Sequence, residues 1–115
     1  MFIAVPLALK EMIRDVSPVS FRTQCVFLQL KSQTFLIINS YFPTDPKVSN
    51  FDENELLLTL SDIRRTIEEN DFDHMIWVGD INADFRRSTK FVRIIEEFIS
   101  EMNLYKSWDY FDVDF

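Results

Sequence analysis

Cysteine occurs once in this chain, at Cys25, so no internal disulfide can form and nothing calls for an oxidising compartment. A small residue buried in a strand is the better reading of Cys25 than a reactive thiol. Long hydrophobic runs are also missing: charge or proline breaks each within a few residues, so neither a signal peptide nor a membrane span is expected. Basic residues are scarce. The 12 Lys and Arg stand against 19 Asp and Glu, a net charge of −7, which argues against a module gripping duplex nucleic acid over a broad basic face. The same balance does not exclude a metal-dependent nuclease, whose acids hold cations that then meet the phosphate. Internal repeats and low-complexity tracts are absent. Histidine and glycine each occur once, as His74 and Gly79.

At 115 residues the chain holds one domain at most, whereas layered β-rich domains routinely run to roughly 200–250 residues. Its 47% hydrophobic and 27% charged content is ordinary for a soluble globular protein. Twelve phenylalanines and two tryptophans exceed what a small closed core needs, so some faces are expected to pack against strands this chain lacks. Folded alone, it should expose an apolar edge.

The run His74-Met75-Ile76-Trp77-Val78-Gly79-Asp80-Ile81-Asn82 concentrates the chemistry. Met75 to Val78 read as a buried strand that ends at the single glycine and delivers an acid and an amide two positions apart. Residues i and i+2 of a strand share a face, so Asp80 and Asn82 are expected to point the same way. A glycine just before them lets another backbone, a metal or a phosphate come close. Upstream, Thr34-Phe35-Leu36-Ile37-Ile38-Asn39-Ser40-Tyr41-Phe42-Pro43 is a second apolar strand, with a tyrosine near its end and a proline to stop it.

Periodicity gives a β/α alternation. Residues 2–5 read as a short strand, and residues 7–16 as either a brief helix or an irregular connection ending at Ser17-Pro18. Residues 24–30 and 34–42 read as strands joined by the turn Lys31-Ser32-Gln33, an antiparallel hairpin. Asp52 with Glu55 makes a capping-box start to a helix reaching about residue 70, with Leu56, Leu57, Leu60, Ile63 and Ile67 as its inward stripe. Ser88 or Thr89 caps a second helix to about residue 103, with Val92, Ile95, Phe98, Ile99 and Met102 inward. Both stripes are core, not cofactor boxes. Strands rich in Val, Ile and Phe with helices outside them imply a layered α/β arrangement.

Taken together, Asn39-Ser40-Tyr41-Phe42-Pro43 and Gly79-Asp80-Ile81-Asn82, separated by one amphipathic helix, resemble the middle of the endonuclease/exonuclease/phosphatase superfamily. The nearest resemblance is to the apurinic-type endonuclease domain of non-LTR (LINE-like) retrotransposons, and it runs along residues 2–115, including Ile3-Ala4-Val5-Pro6 and Ala83-Asp84-Phe85. The resemblance implies a four-layered α/β sandwich, with a mixed, largely antiparallel sheet and helices packed outside. This chain, residues 1–115, would be the central part of one such domain, truncated at both ends. Members also carry an asparagine on a first strand, a metal-binding glutamate soon after, and an Asp-His pair on a last strand. None of these has a match here, and His74, at the far end of its strand from Asp80, is not the missing histidine.

Hydrolysing a phosphodiester requires an activated water, neutralisation of charge on the equatorial oxygens and help for the leaving oxygen; a magnesium ion serves the last two needs. The resemblance assigns Asp80 to orienting or deprotonating the attacking water, Asn82 to fixing that water or a phosphate oxygen, and Tyr41 to donating to, or stacking against, the scissile phosphate. Thr44 stands where relatives often have asparagine and, with Arg86, is a substrate-binding candidate. No metal ligand is assigned within the chain; magnesium is the cofactor implied for the full domain. The expected function is that of an incomplete magnesium-dependent endonuclease that nicks DNA, intracellular, and nuclear if part of a working retroelement. A reverse transcriptase domain in a longer polyprotein is then a compatible neighbour, and no membrane or disulfide-linked partner is expected. The alternatives are a phosphomonoesterase of the same superfamily and a non-catalytic relic or binding module.

Each assignment has a plainer competitor. Asp80 and Asn82 are also ordinary turn formers at a strand end, and Tyr41 an ordinary half-buried strand aromatic. Asp84 reads as loop and Asp45, between prolines, as turn. Asp109, Asp112 and Asp114 alternate as the wet face of a strand or loop would. Arg64-Arg65 read as solvated surface, and Arg86-Arg87 stand evenly between surface and site.

Overall fold

Four strands, β1 (Ile13–Pro18), β2 (Thr23–Leu30), β3 (Gln33–Tyr41) and β4 (His74–Asp80), form a mixed sheet in the order β1-β2-β3-β4. The structure is a computed structural model describing residues 3–43 and 53–106. Thr44, Asp45, Asp52, Asp109, Asp112 and Asp114 lie outside the described residues. The chain divides into two compact units, Met1–Asn82 and Ala83–Phe115.

In the first unit, β2 pairs antiparallel with β1 and with β3, while β3 pairs parallel with β4. Leu30 pairs with Gln33, so the hairpin loop is only Lys31-Ser32, with Lys31 at φ +58°. That is one residue shorter than the sequence suggests. Gln29 and Thr34 flank the loop as register partners, with Thr34 Oγ1 3.0 Å from Gln29 Oε1. A parallel partner cannot be reached through a hairpin; the crossover from β3 to β4 carries α1 (Glu53–Glu68), which lies against β2.

Register sorts the two sheet faces. Cys25, Ile38 and Trp77 share one, with Leu36 and Met75; Val26, Ile37 and Ile76 share the other, with Phe35 and His74. Stacking of the Phe35 and His74 rings, centroids 4.8 Å apart, agrees with that pairing. Cys25, Leu36 and Ile38 are buried, as are Leu56, Leu60 and Ile63 of α1. Leu57, expected in the stripe, is exposed: it sits about 100° round the helix from Leu56, and the stripe extends the other way to buried Thr59 and Thr66. Those hydroxyls are satisfied by the carbonyls one turn back, Glu55 (2.9 Å) and Asp62 (2.8 Å).

Three further expectations are corrected. Residues 3–6 form no strand; beside β2 the sheet edge is taken by β1, and an extended segment without a ladder partner gains nothing from being a strand. Residues 7–16 resolve into a 3-10 helix, Leu7–Met12, followed by β1, whose backbone pairing overrides a weakly alternating sequence. The Asp80 strand is not the buried strand expected: no residue of β4 is fully buried, and Ile76 and Val78, on one face, are 51% and 45% exposed.

The second unit holds α2 (Lys90–Glu101). Thr89, rather than Ser88, is its cap, accepting from the Val92 amide at 3.1 Å. Its far end is a Schellman motif: Asn103 takes φ +57°, and the Asn103 and Leu104 amides close on the Ser100 and Ile99 carbonyls at 3.1 and 2.9 Å. Phe91, Val92, Ile95 and Phe98 are buried, whereas Ile99 and Met102 are only partly so. The architecture is α/β, small and partial, with one four-stranded mixed sheet among the described residues. No helix among them is long and apolar enough to cross a membrane.

Candidate functional site

Because β3 and β4 run parallel, their C-terminal ends lie side by side, and the last residue of each, Tyr41 and Asp80, are Cα partners. Partners on neighbouring strands stand about 4.8 Å apart with side chains on one face. The ladder runs one step further, through the Phe42 amide to the Asp80 carbonyl at 2.8 Å. Ligands of open α/β sheets collect beyond the carboxyl ends of parallel strands, and Tyr41, half exposed at 50%, and exposed Asp80 occupy that rim.

Gly79 is what lets the strands close. Its φ is +139°, and a Cβ there would fall 1.9 Å from the Ser40 carbonyl oxygen. The close approach made at the glycine is therefore that of backbone. Beneath the rim, Trp77 Nε1 donates to Ser40 Oγ at 2.7 Å, and the Trp77 ring meets the buried Phe42 ring at 5.7 Å.

Asn82 arrives by a different route from the one the sequence suggests. The strand stops at Asp80, so strand alternation does not orient Asn82; it adopts a left-handed φ of +53°, which asparagine tolerates better than most residues. Its backbone amide donates to Asp80 Oδ1 at 3.1 Å and its Nδ2 to the Phe42 carbonyl at 2.8 Å. The carboxamide laces the two strand ends together and still has Oδ1 to offer a ligand. Asp80 acts as a turn former through one oxygen and keeps the other, Oδ2, for the rim.

Arg22 and Phe21, which sequence reasoning passes over, and Glu55, read there only as a helix-capping residue, also belong to this rim. The Tyr41 amide donates to the Arg22 carbonyl at 2.8 Å, extending the β2-β3 ladder so that Arg22, Tyr41 and Asp80 form one row. The Arg22 guanidinium holds the Glu55 carboxylate through Nη2 and through Nε at 2.8 Å, and Nη1 donates to the Tyr41 carbonyl at 3.2 Å. It lies over the Tyr41 and Phe21 rings, 5.4 and 5.0 Å from their centroids. Counting back along the hairpin from a two-residue loop is the signal that would have placed Arg22 opposite Tyr41.

Arg86 belongs to the second unit, where Asp84 engages it: Nε reaches Asp84 Oδ1 at 3.0 Å and Nη2 reaches Oδ2 at 3.3 Å. The Arg86 side chain, then its backbone amide, hold the Asp84 carboxyl below the usual carboxylate range. Asp84 lies in a loop, as its sequence suggests, and there engages Arg86.

Whether the rim can hold magnesium is a matter of donor count. Asp80 and the Asn82 carbonyl are hard oxygen donors of the type magnesium accepts, but no group of three or more acidic, histidine or cysteine side chains converges among the described residues. Of the rim carboxylates Glu55 is held by the Arg22 guanidinium, and Asp80 does not by itself make a cation site. No protein-family model, curated protein or solved structure matches the chain.

Proposed function

We propose that this chain is the central part of a magnesium-dependent phosphodiesterase of the endonuclease/exonuclease/phosphatase type, related to the DNA-nicking domain of non-LTR retrotransposons. One observation carries the reading: Tyr41 and Asp80 are neighbours at the carboxyl ends of two parallel strands. The tyrosine hydroxyl is a neutral donor suited to a phosphate oxygen. Asp80 accepts a proton from, or orients, a water approaching the phosphorus, and Asn82 Oδ1 can fix that water's second hydrogen. Magnesium, when bound by the complete domain, supplies charge neutralisation at the phosphate. Its glutamate ligand is outside this chain, so by itself the chain should nick supercoiled plasmid little or not at all. Any nicking that does appear must need magnesium and vanish in Asp80→Ala; survival in that variant would count as contamination.

A test that does not require turnover is NMR titration with dimethyl phosphate, a base-free phosphodiester, in magnesium. The Tyr41 ring and the Asp80 and Asn82 amides should shift together; movement elsewhere only, or none, rules the reading out. A non-catalytic reading is favoured by the turn bonds of Asn82, which engage its backbone amide and its Nδ2 in holding the strand ends. Under that reading dimethyl phosphate moves nothing, while Asn82→Ala still destabilises by about 1–2 kcal/mol through one lost hydrogen bond and a left-handed alanine.

A further inference from the structure

Phe21 is 83% exposed, yet it is not on a loose tip. The turn carrying it is closed by the Val19 and Ser20 amides on the Thr23 carbonyl, at 2.9 and 3.1 Å, and by the Arg22 amide on Ser20 Oγ at 3.2 Å. Single exposed apolar side chains are common on protein surfaces and need no function. Here two exposed rings bracket one cation: the Arg22 guanidinium sits 5.0 Å from the Phe21 centroid and 5.4 Å from that of Tyr41. Only 14% of the Arg22 side chain is accessible, and Glu55 neutralises its charge.

These features select among ligands. A free phosphate would have to displace Glu55 from the guanidinium, so the cluster is poorly suited to an anion. Flat π faces beside a neutralised guanidinium suit another flat π system, and bases stack on aromatic side chains irrespective of sequence. The row Arg22, Tyr41, Asp80 sets this surface beside the candidate phosphate rim. We propose that Phe21, Arg22 and Tyr41 form a stacking platform for an unpaired base of a nucleic-acid strand, a base next to the phosphodiester at Asp80. The proposal rests on the phosphodiester reading for its choice of ligand and extends it to substrate recognition.

The test is fluorescence anisotropy of a labelled short oligothymidylate at low salt in EDTA, so that no metal-dependent contact contributes. Wild type should bind, Phe21→Ala should weaken binding by about tenfold, the scale of one lost base–aromatic stack, and Phe21→Tyr should retain it. An abasic strand of equal length should bind wild type no better than the thymidylate binds Phe21→Ala. Since Phe21 is exposed, circular dichroism of Phe21→Ala should match wild type. Equal affinity of wild type and Phe21→Ala, no binding by wild type, or full displacement of the strand by equimolar thymidine monophosphate would each overturn the platform. Dimethyl phosphate carries no base, so failure there leaves this anisotropy difference standing, and the two proposals fail separately.

Discussion

Arg22 Nη1 donates to the backbone carbonyl of Tyr41 at 3.2 Å while the same guanidinium grips Glu55 at the start of α1. One side chain therefore fastens the helix to the end of the strand that presents the tyrosine. Removing it would strand a partly shielded carboxylate and a strand-end carbonyl together, and charge-assisted hydrogen bonds are worth more than neutral ones.

Arg22→Ala is accordingly expected to lower unfolding free energy by about 1–2 kcal/mol in urea denaturation. Arg22→Lys should recover only part of it, because an ammonium cannot span Glu55 and the Tyr41 carbonyl as a planar fork does. Full recovery by lysine would mean that charge alone, not the fork, matters.

At Gly79 the expected effect is larger. The Cβ of an alanine would meet the Ser40 carbonyl oxygen at 1.9 Å on a backbone at φ +139°. Strain of about 1–3 kcal/mol from the backbone adds to a clash that only separation of β3 from β4 relieves. Gly79→Ala should cost at least about 3 kcal/mol and abolish cooperative thermal unfolding, read by circular dichroism. A variant melting with wild type would refute the close pairing of Ser40 with Gly79.

The strands and helices with strong periodicity were legible: the hairpin, both amphipathic helices and the strand ending at Gly79-Asp80 lie within a few residues of their expected places. What the pattern could not supply was tertiary. Lys31 turns with positive φ although lysine carries no turn signal, so local sequence suggests a loop one residue longer than the one formed. One residue of register moves every side chain across the sheet, which hid Arg22 as the partner of Tyr41. Strand alternation alone would orient Asn82, but its place comes from a left-handed turn and a bond to Phe42. The exposure of Ile76 and Val78 depends on what packs over that sheet face, which local sequence does not encode.

The Asp84 carboxyl should titrate below the ordinary carboxylate value of 3.8, chiefly because of Arg86. A depressed folded-state value means that its stabilising contribution is present above the unfolded value and is lost as pH falls through the folded one. In an NMR pH titration Arg86→Ala should move the Asp84 midpoint up toward 3.8, and added salt should shrink the difference because the pair is exposed. An unchanged midpoint in Arg86→Ala would leave the backbone amide of residue 86 as the whole cause.

The last expectation concerns the face of β4. Ile76 and Val78 stand exposed on the final strand of the sheet order, beside Ile37 on β3. An apolar, open strand at a sheet edge invites pairing with other chains unless charge, proline or a cover blunts it. Replacing Ile76 by Lys and Val78 by Thr should therefore raise the concentration at which the protein self-associates. Folded stability should change by only about 0.5 kcal/mol, as surface substitutions usually do. Sedimentation velocity of both proteins across a concentration series measures the first effect and urea denaturation the second. If instead the double variant loses several kcal/mol, Ile76 and Val78 are packed in solution, and the face of β4 is covered rather than open.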